Sequence, residues 1–334
     1  MNMGVDLRDI VPREDIEFSR LHGKILSVDA LNALYQFLAI IRQQGGEVLK
    51  DSKGRTTSHL SGLFYRTVNL VELGIRPLYI YDGRPPEQKL ATLRGRKKHK
   101  DTAQQRAVRA KVEGRTEDYA KYASQSLTFT TEMLAESKDL LALMGIPFFD
   151  APAEGEAQAA HLCATDPRIY AVASQDYDAL LFGAPLLARN VTISGRRKLP
   201  GRSVYREVSP ELLDLSFVLG ELGITREQLV EVALLVGTDY NDGVKGLGPK
   251  KALEAVRSGT FDDYGVDPSL RDLFLAPAVS DSVRYAFSLP DASELRRFLC
   301  TEHDFSKMRV ERAVERLTKG MEGLLRQETL DQWF

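Results

Sequence analysis

Lys24-Ile-Leu-Ser-Val-Asp29 is a short apolar run with the length and β-branched content of a buried strand, and it ends at a carboxylate. Three further runs of the same kind cover residues 76–82, 169–176 and 185–191. Apolar residues with helical spacing lie between these runs, at 133–144, and beyond them, at 229–236. This order of strands and helices predicts an α/β fold built on a mostly parallel sheet flanked by helices.

Acidic side chains end three of the predicted strands, namely Asp29, Asp82 and Asp176. Ligands of parallel α/β sheets bind beyond the carboxyl ends of the strands. The three carboxylates are therefore predicted to meet at one edge of the sheet. Further acids stand out by their context at four positions: Glu154, Glu156, Asp178 and Asp239.

Two acid pairs, 154/156 and 176/178, are spaced two residues apart, which in an extended segment places both carboxylates on one face. The glutamates can instead lie at a helix N-terminus, where the helix dipole tolerates acids. Carboxylates gathered without cations repel each other, and oxygen-only ligands suit Mg²⁺ or Mn²⁺ rather than zinc. Two such ions about 4 Å apart can activate water and stabilise the leaving oxygen of a phosphodiester. Each acid taken singly is more simply explained as a turn residue or a helix cap.

Residues 84–121 carry twelve basic and five acidic side chains, in a chain of 334 residues whose formal net charge is −2. Apolar residues are sparse there, so the stretch is predicted to be a solvated helical excursion or a flexible insertion. Cys163 and Cys300 stand far apart, outside any metal-binding spacing. No apolar run approaches the roughly 18 residues needed to span a bilayer. We therefore expect a soluble intracellular protein with neither a disulfide framework nor a zinc site.

Seven motifs, in their order and spacing, resemble the flap endonucleases of the 5′-nuclease (XPG-like) superfamily over nearly the whole chain, residues 4–334. They are VDALNALYQFL (28–38), GRTTSHLSGLFYRT (54–67), YDGRPPEQK (81–89), MGIPFFDAPAEGEAQAA (144–160), SQDYDALLFG (174–183), LVGTDYNDGVKGLGPKKA (235–252) and QETLDQWF (327–334). The resemblance implies a PIN-like nuclease fold with a helical arch and a helix–turn–helix DNA-binding hairpin. It also implies a structure-specific 5′ flap endonuclease with 5′–3′ exonuclease activity, acting in Okazaki-fragment maturation and base excision repair.

The resemblance implies that the seven acids bind two Mg²⁺ ions, for which Mn²⁺ can substitute. One ion would be held chiefly by Asp29, Asp82, Glu154 and Glu156, and the other by Asp176, Asp178 and Asp239. Two cations at the base of the arch, Lys89 and Arg96, would be catalytic. Their physical role would be to neutralise charge on the transferring phosphate.

Contacts with DNA are implied at several positions, most of them phosphate or sugar contacts that carry no sequence information. Tyr35 would stack on a base near the cut, and Thr57 would lie where a one-nucleotide 3′ flap is held. The hairpin glycines let backbone N–H groups approach phosphate, and K⁺ is expected at this hairpin. The full set of implied DNA-binding residues is Tyr35, Arg42, Thr57, Arg66, Glu154, Gly237, Asp239, Gly246, Gly248, Lys250 and Lys251.

The last eight residues fit a motif that binds a PCNA-like sliding clamp. Its defining positions are Gln327, Leu330, Trp333 and Phe334. The simpler explanation is a frayed terminus, but two exposed aromatics at such an end would invite association. We expect a monomer that contacts branched DNA, the clamp and no membrane. The resemblance is to the archaeal type, which implies a cytoplasmic, nucleoid-associated enzyme, or a nuclear one if the source is eukaryotic.

The predicted division of the chain is an N-terminal nuclease region (1–102), an arch (103–130), an internal nuclease region (131–262) with its hairpin at about 237–255, a C-terminal helical region (263–325) and the clamp motif (326–334). Residues 1–102 and 131–262 are expected to form one compact nuclease domain. Two alternatives stay open. One is a sibling enzyme, such as an exonuclease, a bubble-cutting nuclease or a junction resolvase. The other is a non-catalytic DNA-binding or clamp-binding scaffold.

Overall fold

The computed structural model describes residues 4–43, 47–86, 88–192, 195–198 and 205–331. For a few residues inside these ranges it describes the backbone only: 90, 91, 93, 96, 117, 120, 124, 195–198, 205–207 and 327–331. Among the described helices, none combines the length and the apolar composition needed to cross a bilayer.

The strands of the described chain form one large mixed sheet and one separate two-stranded sheet. They are β1 (Glu14–Asp15), β2 (Ile25–Asp29), β3 (Arg76–Tyr81), β4 (Phe148–Asp150), β5 (Ile169–Ala173), β6 (Leu186–Arg189), β7 (Gly195–Lys198), β8 (Tyr205–Val208) and β9 (Glu211–Asp214). The large sheet has the order β1-β9-β6-β5-β2-β3-β4, and β7 pairs with β8 separately. Strands β6, β5, β2, β3 and β4 are parallel, while β9 runs antiparallel to both β6 and β1. The predicted mostly parallel α/β sheet is confirmed.

The helices connect and cover these strands. They are α1 (Ala30–Ile40), α2 (Ser58–Glu72), α3 (Lys89–Val112), α4 (Thr116–Gln125), α5 (Thr131–Leu143), α6 (Gly155–Thr165), α7 (Asp178–Leu181), α8 (Leu215–Leu222), α9 (Arg226–Val236), α10 (Pro249–Arg257), α11 (Leu270–Leu275), α12 (Ala292–Arg296) and α13 (Lys307–Asp331). A π-helical turn, Arg297–Glu302, joins α12 to α13. The predicted helices at 133–144 and 229–236 correspond to α5 and α9.

Alternation along the strands divides the core into two apolar layers, one on each face of the sheet. In β3, Leu78 and Ile80 face the layer that contains α6, α7 and α9. Tyr79 and Tyr81, between them, face the layer that contains α1, α2, α5 and α13. Both tyrosine hydroxyls are hydrogen-bonded, to Thr67 and Ser137 at 2.8 Å each, so no polar group is left unpaired by their burial.

Two features of the predicted organisation need correction. The run 169–176 is a strand only as far as Ala173, because the next residues turn: the Asp176 N–H donates to the Ser174 hydroxyl at 3.2 Å, and α7 begins two residues later. The segment with Asp176 and Asp178 is therefore not extended. The helix α3 also runs unbroken through the predicted boundary between 102 and 103, so the basic excursion begins at Lys89 and continues as α3 and α4.

The C-terminal region, predicted to be helical, contains a long stretch without regular structure at 277–291. It packs along α6, where the Gln158 side-chain amide donates to the Ser280 carbonyl and accepts from the Ser280 N–H, at 2.9 and 2.7 Å. These two bonds satisfy backbone groups of a segment that has no strand partner.

One polar cluster joins α2, α5 and the C-terminal region. The Glu136 carboxylate of α5 lies 3.4 Å from the His59 ring and 3.2 Å from the His303 ring. Arg55, in the loop before α2, lies 3.7 Å from the same carboxylate and also pairs with Asp51 at 2.7 Å. Both histidines are buried, so Glu136 supplies the negative charge that these rings face inside the protein.

Candidate active site

Three acids meet at the carboxyl edge of the sheet, as predicted. Asp29 ends β2, Asp82 directly follows β3 and Asp176 lies just after β5, and these three strands are neighbours in the order β5-β2-β3. Mutual repulsion among the carboxylates is large enough to affect their protonation, since Asp82 and Asp176 both raise the pKa of Asp29. Parallel register thus brings together residues that lie far apart in the sequence.

The other four acids come from helix termini around this edge. Glu154 caps α6 and Glu156 lies in its first turn, so the glutamate pair lies at a helix N-terminus, the second of the two predicted arrangements. Asp178 is the first residue of α7, and Asp239 lies just beyond α9. Each of the four interacts electrostatically with at least one of the others or with the strand-end acids. All seven predicted metal ligands therefore converge.

Backbone donors hold several of these carboxylates in place. Asp29 accepts from the Asn32 N–H at 3.0 Å and so also caps α1. Asp178 accepts from the Val5 N–H at 2.9 Å, which ties the beginning of the described chain to the site. Asp82 accepts from the Gly155 N–H at 2.7 Å, and a Cβ on Gly155 would come within 2.8 Å of the Asp82 carboxylate. Glycine is required there for this close approach.

Burial and like charge together raise the pKa values of five of the acids. Desolvation is the largest cause in every case. The pKa of Asp29 and that of Glu156 are raised well above their ordinary values, and that of Asp178 is raised to about 8, with Asp239 and Asp176 as its repelling neighbours. Desolvation also raises the pKa values of two further acids, Asp82 and Glu154, and Lys89 opposes the shift in both. Asp82 is exposed at the surface, yet the protein atoms around its carboxylate still desolvate it.

Lys89, at the first position of α3, supplies positive charge inside this cluster. Its Nζ forms an ion pair with Glu154 and lies 3.3 Å from Asp239. Burial alone would lower the pKa of the Lys89 ammonium, but Glu154, Asp239 and Asp82 outweigh it and raise the pKa. The ammonium is therefore charged and is the counter-ion of these carboxylates.

The donor set fits hard divalent cations. All seven candidate ligands are carboxylates, the chemistry that Mg²⁺ and Mn²⁺ prefer. Glu156 Oε1 is buried and accepts no hydrogen bond from the described residues, so one candidate ligand atom has no hydrogen-bond donor. Within the described part of the chain, no three of these side chains are already arranged as a ligand set. Carboxylates without a cation repel each other, and Lys89 pairs with two of them.

Helix α3, which opens the basic segment, begins beside the site at Lys89. Arg96 lies two turns beyond Lys89 on the backbone of α3, and its side chain lies outside the described residues. Tyr35, on α1, is half-buried with its ring edge-to-face against Phe129 at 5.4 Å. Lys100 of α3 lies over the Tyr35 ring, with Nζ 4.8 Å from the ring centroid. A base that stacks on Tyr35 would have to displace this lysine.

The predicted DNA hairpin is a loop, 237–248, between α9 and α10. Gly237 and Gly246 have φ angles of +112° and +86°, which favour glycine. Gly248 is the N-cap of α10, and Lys250 and Lys251 are exposed in its first turn. The helix N-terminus and both lysines thus present positive charge on one surface.

The remaining predicted contacts lie on or beside α1 and α2. Arg42 and Arg66 are half-buried, and desolvation lowers the pKa of each guanidinium. Thr57, the N-cap of α2, is only 5% exposed. In the clamp motif, the backbone at Gln327 and Leu330 continues α13, but the side chains of 327–331 and all of residues 332–334, with Trp333 and Phe334, lie outside the described residues.

Two residues of the site were missed by the sequence analysis. Asn32 of α1 donates from Nδ2 to Asp176 Oδ2 at 2.7 Å and so orients a candidate ligand directly. Arg189, at the end of β6, binds the turn that carries Asp176. Asn32 falls inside a quoted motif, three residues after Asp29, but no spacing rule marks it. Arg189 falls in the predicted strand 185–191, and no sequence pattern marks it as part of the site.

Known proteins resemble this chain over nearly its full length. Residues 6–103 match the model of the XPG N-terminal domain, and residues 145–239 match that of the XPG I-region. "Flap endonuclease 1" of Pyrococcus horikoshii is 49% identical over 346 residues, covering 99% of this chain and 98% of the relative. The protein of the same name from Archaeoglobus fulgidus is 48% identical, with coverages of 99% and 100%.

Solved structures agree with these sequence matches. The flap endonuclease-1 structure from Methanococcus jannaschii superimposes with a TM-score of 0.76 at 38% identity, and the match covers 96% of this chain and 99% of that one. The catalytic core of Rad2 in complex with DNA substrate superimposes with a TM-score of 0.65 at 26% identity, covering 91% and 96%. Similarity of this extent concerns both the fold and the segments that carry the seven acids.

Proposed function

We propose, from the premise that this chain belongs to the flap endonuclease family, that it cuts branched DNA with two divalent cations held by its seven carboxylates. The chain is a structure-specific DNA endonuclease of that family, with roles in DNA replication and repair. The observation that carries the metal proposal is the convergence of all seven acids at one sheet edge, with raised pKa values that a bound cation would relieve.

The ligands divide into two groups. Asp29, Asp82, Glu154 and Glu156 lie toward β2, β3 and α6 and would hold one ion. Asp176, Asp178 and Asp239 lie toward β5, α7 and α9 and would hold the other. Bound Mg²⁺ or Mn²⁺ supplies an activated water and stabilises the leaving oxygen of the phosphodiester.

Other residues of the chain would bind the DNA and neutralise the scissile phosphate. Lys89, once its carboxylate partners are neutralised, is free to pair with the scissile phosphate beside it, with Arg96 as a second cation on the same helix. The hairpin loop with Lys250 and Lys251 would hold the duplex by its backbone. Tyr35 would stack on the base next to the cut, after Lys100 moves away.

Several finer assignments belong to the same proposal and rest on the family resemblance. They are 5′–3′ exonuclease activity, action on Okazaki-fragment flaps and in base excision repair, K⁺ at the hairpin and a monomeric state. The C-terminal motif would dock on a PCNA-like clamp. Support for DNA as the partner comes from the Rad2 core, a relative whose structure contains DNA substrate.

Cleavage of a labelled 5′ flap in Mg²⁺ tests the proposal. We expect Asp82→Ala and Asp176→Ala to remove nearly all cleavage, while flap binding in Ca²⁺ survives because backbone contacts dominate affinity. Asp139→Ala, an exposed acid on α5, is the matched control and should cut like wild type. Near wild-type cleavage by either site variant would refute the metal assignment.

Parallel assays on bubbles and four-way junctions distinguish a flap enzyme from its siblings. Preference for a junction over a flap would replace the flap assignment by the sibling one. Binding without cleavage of any of these substrates in Mg²⁺ or Mn²⁺ would favour the scaffold.

A further inference from the structure

The turn that carries Asp176 and Asp178 is short and has few bonds of its own. It spans the residues between the end of β5 at Ala173 and the first residue of α7. Its backbone is held by the Ser174 hydroxyl and by the Leu180 N–H, which donates to the Tyr177 carbonyl at 2.9 Å. Two acids that repel each other are therefore placed on a segment without ladder partners, and something outside the turn has to fix it.

Arg189 contacts this turn at three points. Its Nε donates to the Gln175 carbonyl at 3.1 Å, and its Nη1 donates to the Tyr177 hydroxyl at 2.7 Å. The guanidinium also lies over the Tyr177 ring, 4.3 Å from the ring centroid. The residues it binds, Gln175 and Tyr177, are those on either side of Asp176, and Tyr177 also precedes Asp178.

Arg189 is itself held rigidly by the sheet. It ends β6 in register with Glu211 of the antiparallel strand β9, and its Nη1 lies 2.9 Å from Glu211 Oε2. The two side chains are only 12% and 18% exposed. Because a strand pair holds Arg189, its guanidinium is preorganised. Its contacts can therefore fix the position of the turn.

Arg189 donates hydrogen bonds to the Gln175 carbonyl, the Tyr177 hydroxyl and the Glu211 carboxylate. None of these bonds goes to a carboxylate oxygen of Asp176 or Asp178. An arginine bonded to Asp176 or Asp178 themselves would compete with a cation for the same oxygens. An arginine that binds the neighbouring residues instead orients the carboxylates and does not compete with the ion for their oxygens. A lysine cannot reproduce this, since it lacks the planar fork that joins two acceptors and stacks on a ring.

We propose that Arg189 is a positioning residue that fixes the turn at Gln175–Tyr177 and thereby sets the affinity of the cation held by Asp176 and Asp178. The inference rests on the proposed metal function. Residues that orient metal ligands from behind typically change metal affinity or activity about 10- to 100-fold when they are replaced. The same range is expected for loss of the Arg189 fork.

The test is a titration of the DNA-free protein with Mn²⁺ alone, with free Mn²⁺ measured by electron paramagnetic resonance. In Arg189→Lys we expect one of two Mn²⁺ sites to weaken by about 10-fold or more and the other to stay near wild type. Flap cleavage by the variant should recover as Mg²⁺ is raised, since the defect is in ion binding.

Arg271→Lys is the matched control. Arg271 also stacks on an aromatic ring, Phe261 at 4.7 Å, and pairs with a carboxylate, Glu231 at 2.8 Å, but it lies on α11. Its Mn²⁺ affinities should equal those of wild type. If Arg189→Lys fails to fold, Tyr177→Phe decides, because it removes one hydrogen bond and keeps the ring; a smaller weakening of the same site is then expected.

Unchanged Mn²⁺ affinities in Arg189→Lys, or in Tyr177→Phe where the lysine variant does not fold, would overturn the inference and leave the metal function intact. Equal weakening in the Arg189 and Arg271 variants would also overturn it, since the effect would then be general loosening. A wild-type protein that binds no Mn²⁺ would overturn the metal function itself, and the inference with it. The outcomes therefore distinguish failure of the Arg189 inference from failure of the metal function.

Discussion

Replacing Glu136 by Gln removes the charge from the cluster that joins α2, α5 and the C-terminal region. Burial alone would raise the pKa of this carboxyl, but hydrogen bonds and charge from His303 and His59 lower it from 4.5 to about 2. At about 1.4 kcal/mol for each pKa unit, the shift corresponds to roughly 3 kcal/mol of folding stability. Screening by nearby solvent reduces this, and we expect Glu136→Gln to lower the free energy of unfolding by about 2 kcal/mol.

The effect depends on pH in a defined direction. A depressed carboxyl pKa contributes stability above the ordinary value of 4.5, and that contribution is lost as the pH falls towards 2. The pKa of His303 is raised because Glu136 outweighs desolvation, so its contribution is present below 6.5 and is lost as the pH rises through the raised value. Desolvation lowers the pKa of His59, and a lowered histidine pKa reduces stability as the pH falls below 6.5. Arg55 stays charged throughout. The difference between wild type and variant is therefore largest between about pH 4.5 and 6.5.

Urea unfolding at several pH values, with a metal chelator present, measures this difference. Glu132→Gln, an exposed acid in the first turn of the same helix, is the control and should change stability little. Coincident transitions by fluorescence and circular dichroism are needed for the free energies to be compared. A Glu136→Gln difference that is the same at pH 6 and pH 3.5, or no larger than that of the control, would refute the reasoning.

Two further predictions concern catalysis and the clamp. Lys89→Ala and Arg96→Ala should slow single-turnover flap cleavage about 10²–10³-fold with little loss of binding, because each removes a cation from the transition state. The control Lys98→Ala, at an exposed position of the same helix, should leave the rate unchanged. An unchanged rate in Lys89→Ala and Arg96→Ala would mean that these two residues are ordinary solvated charges. Trp333→Ala combined with Phe334→Ala should abolish stimulation by a cognate clamp and leave clamp-free cleavage unchanged, since aromatic anchors carry most interface energy; equal stimulation of wild type and double variant would show that the motif does not bind the clamp.

The sheet edge was predictable because it follows from short-range patterns. Asp29, Asp82 and Asp176 each follow an apolar run, and parallel strands place such residues side by side whatever lies between them. The α/β class and the apolar helices α5 and α9 follow from periodicity in the same way. The basic segment, for which a helix and a flexible insertion were both open, is helical. The start of α6 at Glu154 is one of the two arrangements that the local pattern left open.

What sequence reasoning missed depends on tertiary contact. Asn32 acts on the 175–178 turn from helix α1 and Arg189 acts on it from strand β6, and nothing in their own neighbourhood marks them. The expectation that the 176/178 pair lies on an extended segment is wrong, because β5 ends early and Asp178 begins a helix. Lys89 was predicted to face the phosphate, but its pairing with Glu154 and Asp239 follows from the total charge around it.

The strand order β5-β2-β3 has a consequence for the protein while it is being made. The ribosome releases Asp29 and Asp82 early, whereas the strand that pairs with the other side of β2 and the last acid, Asp239, emerge much later. At about 5–20 residues per second, the interval between Asp82 and Asp239 is on the order of ten seconds. Throughout that interval the nascent chain holds an incomplete set of acids, and one edge of β2 lacks its partner until β5 has been made. A chain terminated before residue 239 therefore lacks part of the seven-acid set.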